Sequence, residues 1–356
     1  MAGRLLVYGA GGFTGALVAR EAARRGLAPI LAGRRAESIE PLARELGLEA
    51  RVAPLDDPAA LARALDGVAV VLHAAGPFVH TSRPMVDACL AHGATYLDIT
   101  GEIGVFEATF RRDEEAQRAG VALVPGVGFD VVPSDALAAE LHRALPDAVR
   151  LELAFASTPG ASWSRGTLAT AIEGLPAVGW ERRGGRLVPA PPLSVTREID
   201  FPGLGRRIVL QIPWGDLATA FRTTGVPDIA TFAALPPRTI RWARRARPFL
   251  PVLGLGPVKR LLQRMVRARV AGPGPEAAAA RVHLWGRATA PSGAVVERAL
   301  SVPEAYAFTA SSAVEAARRA LAGEAPPGAW TPTSAFGSEL LDALPGVRRE
   351  VSSPSS

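Results

Sequence analysis

Short apolar runs alternate with helical patterns through the first third of the chain, and glycine, proline or a small polar residue marks each junction. Leu5-Leu6-Val7-Tyr8 reads as a buried strand. After it come Gly9-Ala10-Gly11-Gly12-Phe13-Thr14-Gly15 and apolar positions at helical spacing as far as Arg25, with Gly26 as the stop. Pro29–Gly33, Glu49–Leu55, Val68–Leu72, Ala94–Ile99 and Val121–Val124 read as further strands. Helical patterns lie between them: one through Leu42 and Leu46, one capped by Asp57 with Pro58 in its first turn, one from about Pro84 to Ala91, and a longer one ending near Arg118. Six strands alternating with helices predict an α/β fold, a doubly wound Rossmann parallel sheet. From Val149 the period changes. Val149, Leu151, Leu153 and Phe155 alternate with smaller or polar residues, and Val195–Ile199, Arg207–Ile212, Arg281–Ala288 and Val295–Val302 are further strand candidates. They predict a second, mixed or antiparallel sheet, the kind that supplies a substrate wall or a homodimer face.

The glycine-rich junction after the first strand is the main chemical signal. Strand, tight turn and helix together make a phosphate cradle. Gly9 permits the turn, Gly12 lets an anion approach the main chain, and Gly15 lets the helix lie close to the strand. Gly11, Phe13 and Thr14 complete the loop. The second strand ends at Arg34-Arg35, where an NAD enzyme places an acid for the ribose hydroxyls; two guanidinium groups suit a 2′-phosphate, and the cofactor expected is NADP. Asp56 closes the third strand, as an adenine contact or as a second capping acid. Ala75-Gly76-Pro77 follows the fourth strand, with small residues that leave room for the second half of a dinucleotide. Beyond the sixth strand, the loop from Pro125 to Asp135 brings acids and a serine to the carboxyl edge of the sheet, or caps the helix that follows.

Charge is unevenly spread. Ten basic residues and no acid lie between Asp228 and Glu276, whereas the other 30 of the 40 basic residues face 34 acidic ones. The basic excess therefore belongs to one segment, which does not point to nucleic acid. Residues 236–275 read either as a peripheral membrane or acyl-chain contact or as a packed helical excursion with a solvated basic face. One cysteine, Cys89, excludes an intrachain disulfide and fits a reducing, cytoplasmic location. No secretory leader pattern and no bilayer-length apolar run is present.

Gly9–Gly15, Ala32-Gly33-Arg34, Ala75–Phe78, Tyr96–Glu102 and Gly126–Asp135 together resemble the saccharopine dehydrogenase-like oxidoreductases, nearest to their trans-acting enoyl reductase branch. The resemblance is dense to about residue 170. It implies an NADP-binding Rossmann domain, with a second α+β domain inserted before a returning C-terminal helix. The division expected is 1–147 for the Rossmann domain, 148–303 for the substrate or dimerisation domain, 304–345 for the returning segment and 346–356 for a flexible tail.

Some chemistries are excluded. Lys259 is the only lysine and residue 255 is Leu, so the Tyr-x-x-x-Lys pair of short-chain reductases is missing. No Cys-x-x-Cys or His-Glu-x-x-His spacing supports a metal site. The leading expectation is an NADP-dependent oxidoreductase moving a hydride to or from a C=C, C=N or C=O bond of a small organic or acyl substrate. Glu102, Asp130 and Tyr96 are the candidate proton donors. The alternative is a non-catalytic NADP-binding redox sensor.

Overall fold

The computed structural model describes residues 3–159, 179–191, 195–246, 255–269 and 279–350, with positions 168, 172 and 252. The chain divides into two compact units. The first comprises Met1–Val132 and Tyr306–Pro345, the second Pro133–Ala305 and Gly346–Ser356.

The first unit opens with β1 (Arg4–Tyr8), α1 (Phe13–Arg24), β2 (Ile30–Gly33), α2 (Ala36–Leu46), β3 (Ala50–Val52), α3 (Pro58–Ala64) and β4 (Val68–His73). It continues through α4 (Phe78–His92), β5 (Thr95–Asp98), α5 (Ile103–Phe110), α6 (Asp113–Ala119) and β6 (Ala122–Val124). All the strand pairs are parallel, so both faces of the sheet need helical cover, and the strands are apolar almost throughout. Leu6, Tyr8, Ile30, Val71, Tyr96 and Leu123 meet in one core with Met85, Val86 and Cys89 of α4.

Two helices differ from expectation. Helix α4 begins at Phe78 and carries Pro84 inside it. The long helix expected up to Arg118 is two helices, α5 and α6, with Arg112 non-helical between them. Asp113, Glu114 and Glu115 fill the first turn of α6, where carboxylates favour a new helix N-terminus. Arg112 secures the break by pairing with Asp87 and with Glu115. Asp57 caps α3 as expected, accepting the Ala60 amide at 2.9 Å.

The second unit holds α7 (Val132–Ala144) from Pro133 onward, then β7 (Arg150–Ser157), β8 (Gly179–Arg183), β9 (Arg186–Ala190), β10 (Thr196–Phe201), β11 (Gly205–Gln211) and α8 (Asp216–Thr224). After them come β12 (Asp228–Ala234), α9 (Pro237–Ala246), α10 (Gly256–Arg269), β13 (Arg281–Thr289) and β14 (Val295–Pro303). Strands β7 and β12 pair in parallel; the other pairings are antiparallel. The Gly286 backbone leaves room for Leu137 and Leu141 of α7, and any Cβ there would strike Leu141. On the opposite face the half-buried Arg197, paired with the buried Glu152 at 2.6 Å, lies over the Phe232 and Trp285 rings.

The chain then returns to the first unit through α11 (Ala305–Leu321) and β15 (Gly328–Ala329), which adds a seventh strand beside β6. The order β15-β6-β5-β4-β1-β2-β3 reverses direction at β1 and β4, the switch point where doubly wound sheets bind nucleotides. The expected loose tail starts instead as a strand. β16 (Arg348–Glu350) pairs with β14, because Arg349 reaches Glu140 and Glu350 lies beside His283. Residues 351–356 lie outside the described set.

Candidate nucleotide site

The site grows from the end of β1. Gly9 sits at φ +87°, and a side chain there would collide with Ala75 as well as strain the backbone. At Gly15 an added Cβ would run into the Gly9 carbonyl, so the first turn of α1 rests directly on the strand end. A Cβ on Gly12 would meet only the Gly9 oxygen, at 3.3 Å. Packing alone therefore does not demand glycine at position 12, and its absent side chain leaves an open approach to the main chain. The Gly12 amide bonds to Gly9 and the Ala16 amide to Gly12. The amides of Gly11, Phe13, Thr14 and Gly15 have no acceptor among the described residues. Four N–H groups without a described acceptor, at the positive end of α1, are the kind of arrangement that accommodates an anion. Phe13 is exposed and meets the Tyr306 ring edge-on at 5.2 Å.

Arg34 follows the end of β2 and Asp56 lies in the turn between β3 and α3, and both act on the Tyr8 hydroxyl. Burial raises the Tyr8 pKa to about 12; Arg34 pulls it down and Asp56 pushes it up. That hydroxyl donates to the Ala53 carbonyl at 2.7 Å, tying β1 to β3 beneath the two charges. Arg34 is exposed and has no hydrogen bond or ion pair among the described residues. Arg35 caps α2 through its backbone, and its guanidinium lies 3.6 Å from Glu37. Arg34 is thus the more available of the two for a phosphate.

On the other side of the switch point, the loop after β4 packs Ala75 against Gly9. The Ala74 amide donates to the Tyr8 carbonyl at 2.8 Å, and Gly76–Pro77 is a cis peptide. Thr81 holds this loop with its hydroxyl, 2.6 Å from the Ala75 carbonyl oxygen and 3.2 Å from that of Pro77. His73, behind it, is wholly buried among Tyr8, Phe78 and Tyr96, and burial lowers its pKa to about 3. It stays neutral at any working pH.

The three proton-donor candidates occupy different environments. Glu102 accepts the Phe78 amide at 2.7 Å and the Val79 amide at 2.8 Å, so both its oxygens cap α4. Tyr96 is fully buried. Its hydroxyl donates to Asp98 at 2.7 Å, and burial, with Asp98 beside it, raises its pKa well above the ordinary value. Both groups are therefore committed to the scaffold rather than presented to a substrate. Asp130 is half-buried, beside Gly101, where a Cβ would strike its carboxylate. Burial raises its pKa to about 7. A carboxyl titrating there can give and take a proton near neutrality.

Asp98 holds this edge together. It accepts from Tyr96, from the Thr100 amide at 3.0 Å and from the Gly126 amide at 2.8 Å, with burial raising its pKa to about 6. The loop carrying Asp130 rests on α11: the Phe129 amide donates to the Thr309 hydroxyl at 3.0 Å, and the Ser312 hydroxyl donates to the Val127 carbonyl at 2.8 Å. Thr81, Asp98, Thr309 and Ser312 are supporting residues that the sequence did not single out for these roles. Only Asp98 stood inside a recognised motif, and Thr309 and Ser312 act across 180 residues or more.

Comparison with known proteins agrees with this geometry. Residues 5–124 match the family model of the saccharopine dehydrogenase NADP binding domain. A saccharopine dehydrogenase-like oxidoreductase of Homo sapiens is 31% identical over 153 residues, covering 37% of this chain and 35% of the human protein. A trans-acting enoyl reductase of Mycobacterium tuberculosis H37Rv is 29% identical over 242 residues, covering 64% of this chain and 56% of that protein. The alignments thus span about a third to a half of these relatives. The fold is that of the apo saccharopine dehydrogenase (L-Glu forming) from Saccharomyces cerevisiae, with a TM-score of 0.64 over 95% of this chain and 96% of that one at 12% identity. Residues 5–124 are therefore similar to the NADP binding domain of saccharopine dehydrogenases, and the chain as a whole shares the saccharopine dehydrogenase fold.

Proposed function

We propose that the protein is an NADP-dependent oxidoreductase acting on a C=C, C=N or C=O bond of a small organic or acyl substrate. The observation that carries this reading is that, among the described residues, four amides at the start of α1 have no acceptor and the exposed Arg34 after β2 has no ion pair. In this reading the Gly11, Phe13, Thr14 and Gly15 amides hold the diphosphate, and Gly9 and Gly12 keep its approach clear. Arg34 takes the 2′-phosphate with Arg35 beside it, and Asp56 faces the adenosine. Ala75, Gly76 and Pro77 line the nicotinamide end. The bound cofactor supplies or accepts the hydride.

The remaining work falls to the chain's own residues. Thr81 and Glu102 fix the loop after β4 from either side. Asp130 delivers the proton that reduction requires, or removes it in the reverse direction, and its pKa of about 7 supports that role. Glu102 and Tyr96, both engaged in the scaffold, are weaker choices for it. The second unit has the role of a substrate or dimerisation domain in this reading. The single, buried Cys89 fits a reducing, cytoplasmic setting. Among the described residues no helix is long and apolar enough to cross a membrane.

The test has two arms. Calorimetric titration should show NADPH binding much more tightly than NADH. NADPH consumption should then appear with some member of a panel of imines, ketones and enoyl thioesters. Tight NADPH binding with no turnover across that panel, and no exchange of the transferable hydrogen, would point to a sensor instead.

A further inference from the structure

The basic excess has a definite location in the fold. Helix α10 carries Val258, Leu261, Leu262, Met265 and Val266, spaced i, i+3, i+4, i+7 and i+8, which is one stripe of a helix. Such a stripe is ordinarily buried. Here none of the side chains described along the helix is buried. Val258, Leu262 and Val266 are half-covered, but Leu261 is 57% exposed and Met265 40%. Leu255, just before the helix, is 56% exposed, and Val252 54%. Arg260 and Arg264 precede Leu261 and Met265 by one position each, so the two guanidinium groups form a row alongside the two apolar side chains. Helix α9 is anchored by the buried Ile240 and exposes Arg238, Arg241 and Arg245. None of these five arginines has an ion-pair partner among the described residues. Positions 247–251, 253–254 and 270–275 of the segment lie outside the described set.

We infer that α10, with the exposed arginines of α9, is a docking surface for an anionic lipid bilayer. The face is doubly matched to such a surface. Leu255, Leu261 and Met265 reach into the acyl boundary, while the flanking arginines lie at the level of anionic headgroups, each adding attraction. Arginine stems are long enough to keep their heads in the headgroup layer as the helix settles. A second copy of the chain fits poorly, because the exposed Arg238, Arg241, Arg245, Arg260 and Arg264 would meet the same five arginines of the copy. An acidic protein surface would meet the charge but leave the apolar row without a counterpart. The surface is independent of the nucleotide site, so the inference stands or falls separately from the proposed activity.

The experiment is vesicle co-sedimentation of the full chain. One set of vesicles is phosphatidylcholine alone; the other mixes phosphatidylcholine and phosphatidylglycerol equally. Binding is expected to the mixed vesicles and not to the neutral ones, and to weaken as salt screens the charges. Leu261→Asp with Met265→Asp should lower the partition coefficient by about tenfold or more, as should Arg260→Glu with Arg264→Glu. All four positions are exposed, so folding should be unaffected; an unchanged melting temperature and unchanged NADPH affinity check this. Failure to sediment with the mixed vesicles overturns the inference. So does equal binding to neutral vesicles, or binding that either double variant leaves intact. A concentration-dependent rise in mass without vesicle binding would mark a contact between copies, and would also overturn it.

Discussion

Replacing Glu102 separates its structural role from a chemical one. Its carboxylate accepts two amides in the first turn of α4, one part-buried at Phe78 and one exposed at Val79. Hydrogen bonds to a charged acceptor are worth ~1.5–3 kcal/mol, and water can replace the one at Val79. Glu102→Ala should therefore cost about 2 kcal/mol, near the upper end for loss of an N-terminal cap. For a unit of this size that lowers the melting temperature by about 4–8 °C. Glu102→Gln keeps one acceptor but turns an amide N–H toward the other donor, so about half of the loss should remain. The loop bearing Gly76 and Pro77 enters α4 at this point, so NADPH affinity should weaken several-fold in both variants. The assays are scanning calorimetry, NADPH titration and the pH dependence of kcat/KM. If Glu102 only caps the helix, the shape of the pH profile is unchanged in the Gln variant. An unshifted melting temperature together with a missing limb of the profile would refute this reasoning and make Glu102 the proton-transfer group.

Arg34→Ala should weaken NADPH by about 10–100-fold, the loss of a charge-assisted phosphate contact, and leave NADH unchanged; equal losses for both nucleotides in calorimetry would remove the 2′-phosphate assignment. Gly15→Ala should destabilise the first unit by about 3 kcal/mol in denaturant titration, because its Cβ has no room beside the Gly9 carbonyl; a variant of normal stability that binds NADPH normally would contradict that packing. Asp130→Asn should cost about 10²–10⁴ in turnover and erase the kinetic titration near pH 7. Burial raises the Asp130 pKa from 3.8 to about 7, so the folded chain keeps a proton that the unfolded chain gives up. That contribution to stability is full below about pH 4 and is lost as pH rises through 7, so the melting temperature of Asp130→Asn should decline less than the parent's over that interval. His73 has the opposite sign. Its pKa falls from 6.5 to about 3, so acid below 6.5 progressively destabilises the parent, and a neutral replacement such as His73→Gln should blunt that part of the curve.

Most of the first sheet could be read from the sequence because its strands are apolar throughout and its turns carry glycines with no alternative use. Gly15 is held by contacts with Gly9 and Ala10, a few residues away, which local sequence can express, whereas Gly9 owes its need for glycine to its positive φ and to Ala75, far along the chain. Helix α4 starts earlier than its own residues announce for a similar reason: the cap that lets it begin at Phe78, ahead of Pro84, is supplied by Glu102, 24 residues away. In the second unit, β12 escaped notice because Asp228-Ile229-Ala230-Thr231-Phe232-Ala233-Ala234 is buried on both faces and shows no alternation. The hairpin of β8 and β9 hides its period differently: Arg182 is buried, bonded to the Leu217 and Gly185 carbonyls, while Trp180 stays half-exposed. At the site, the residue types near the cofactor were legible, but their duties were not. Tyr96, Glu102 and Asp130 look equivalent as proton donors until burial and partners distinguish them.

The first unit is assembled from two stretches of chain separated by Pro133–Ala305 of the second. Thr309 and Ser312, which prop up the loop carrying Asp130, and β15, whose Ala329 amide donates to Asp113 at 2.7 Å, all belong to the later stretch. During synthesis, therefore, the first unit begins before the second yet stays unfinished until residues 306–345 follow. A nascent chain released before residue 305 would contain every glycine of the loop after β1 and still lack the props beneath the loop that carries Asp130.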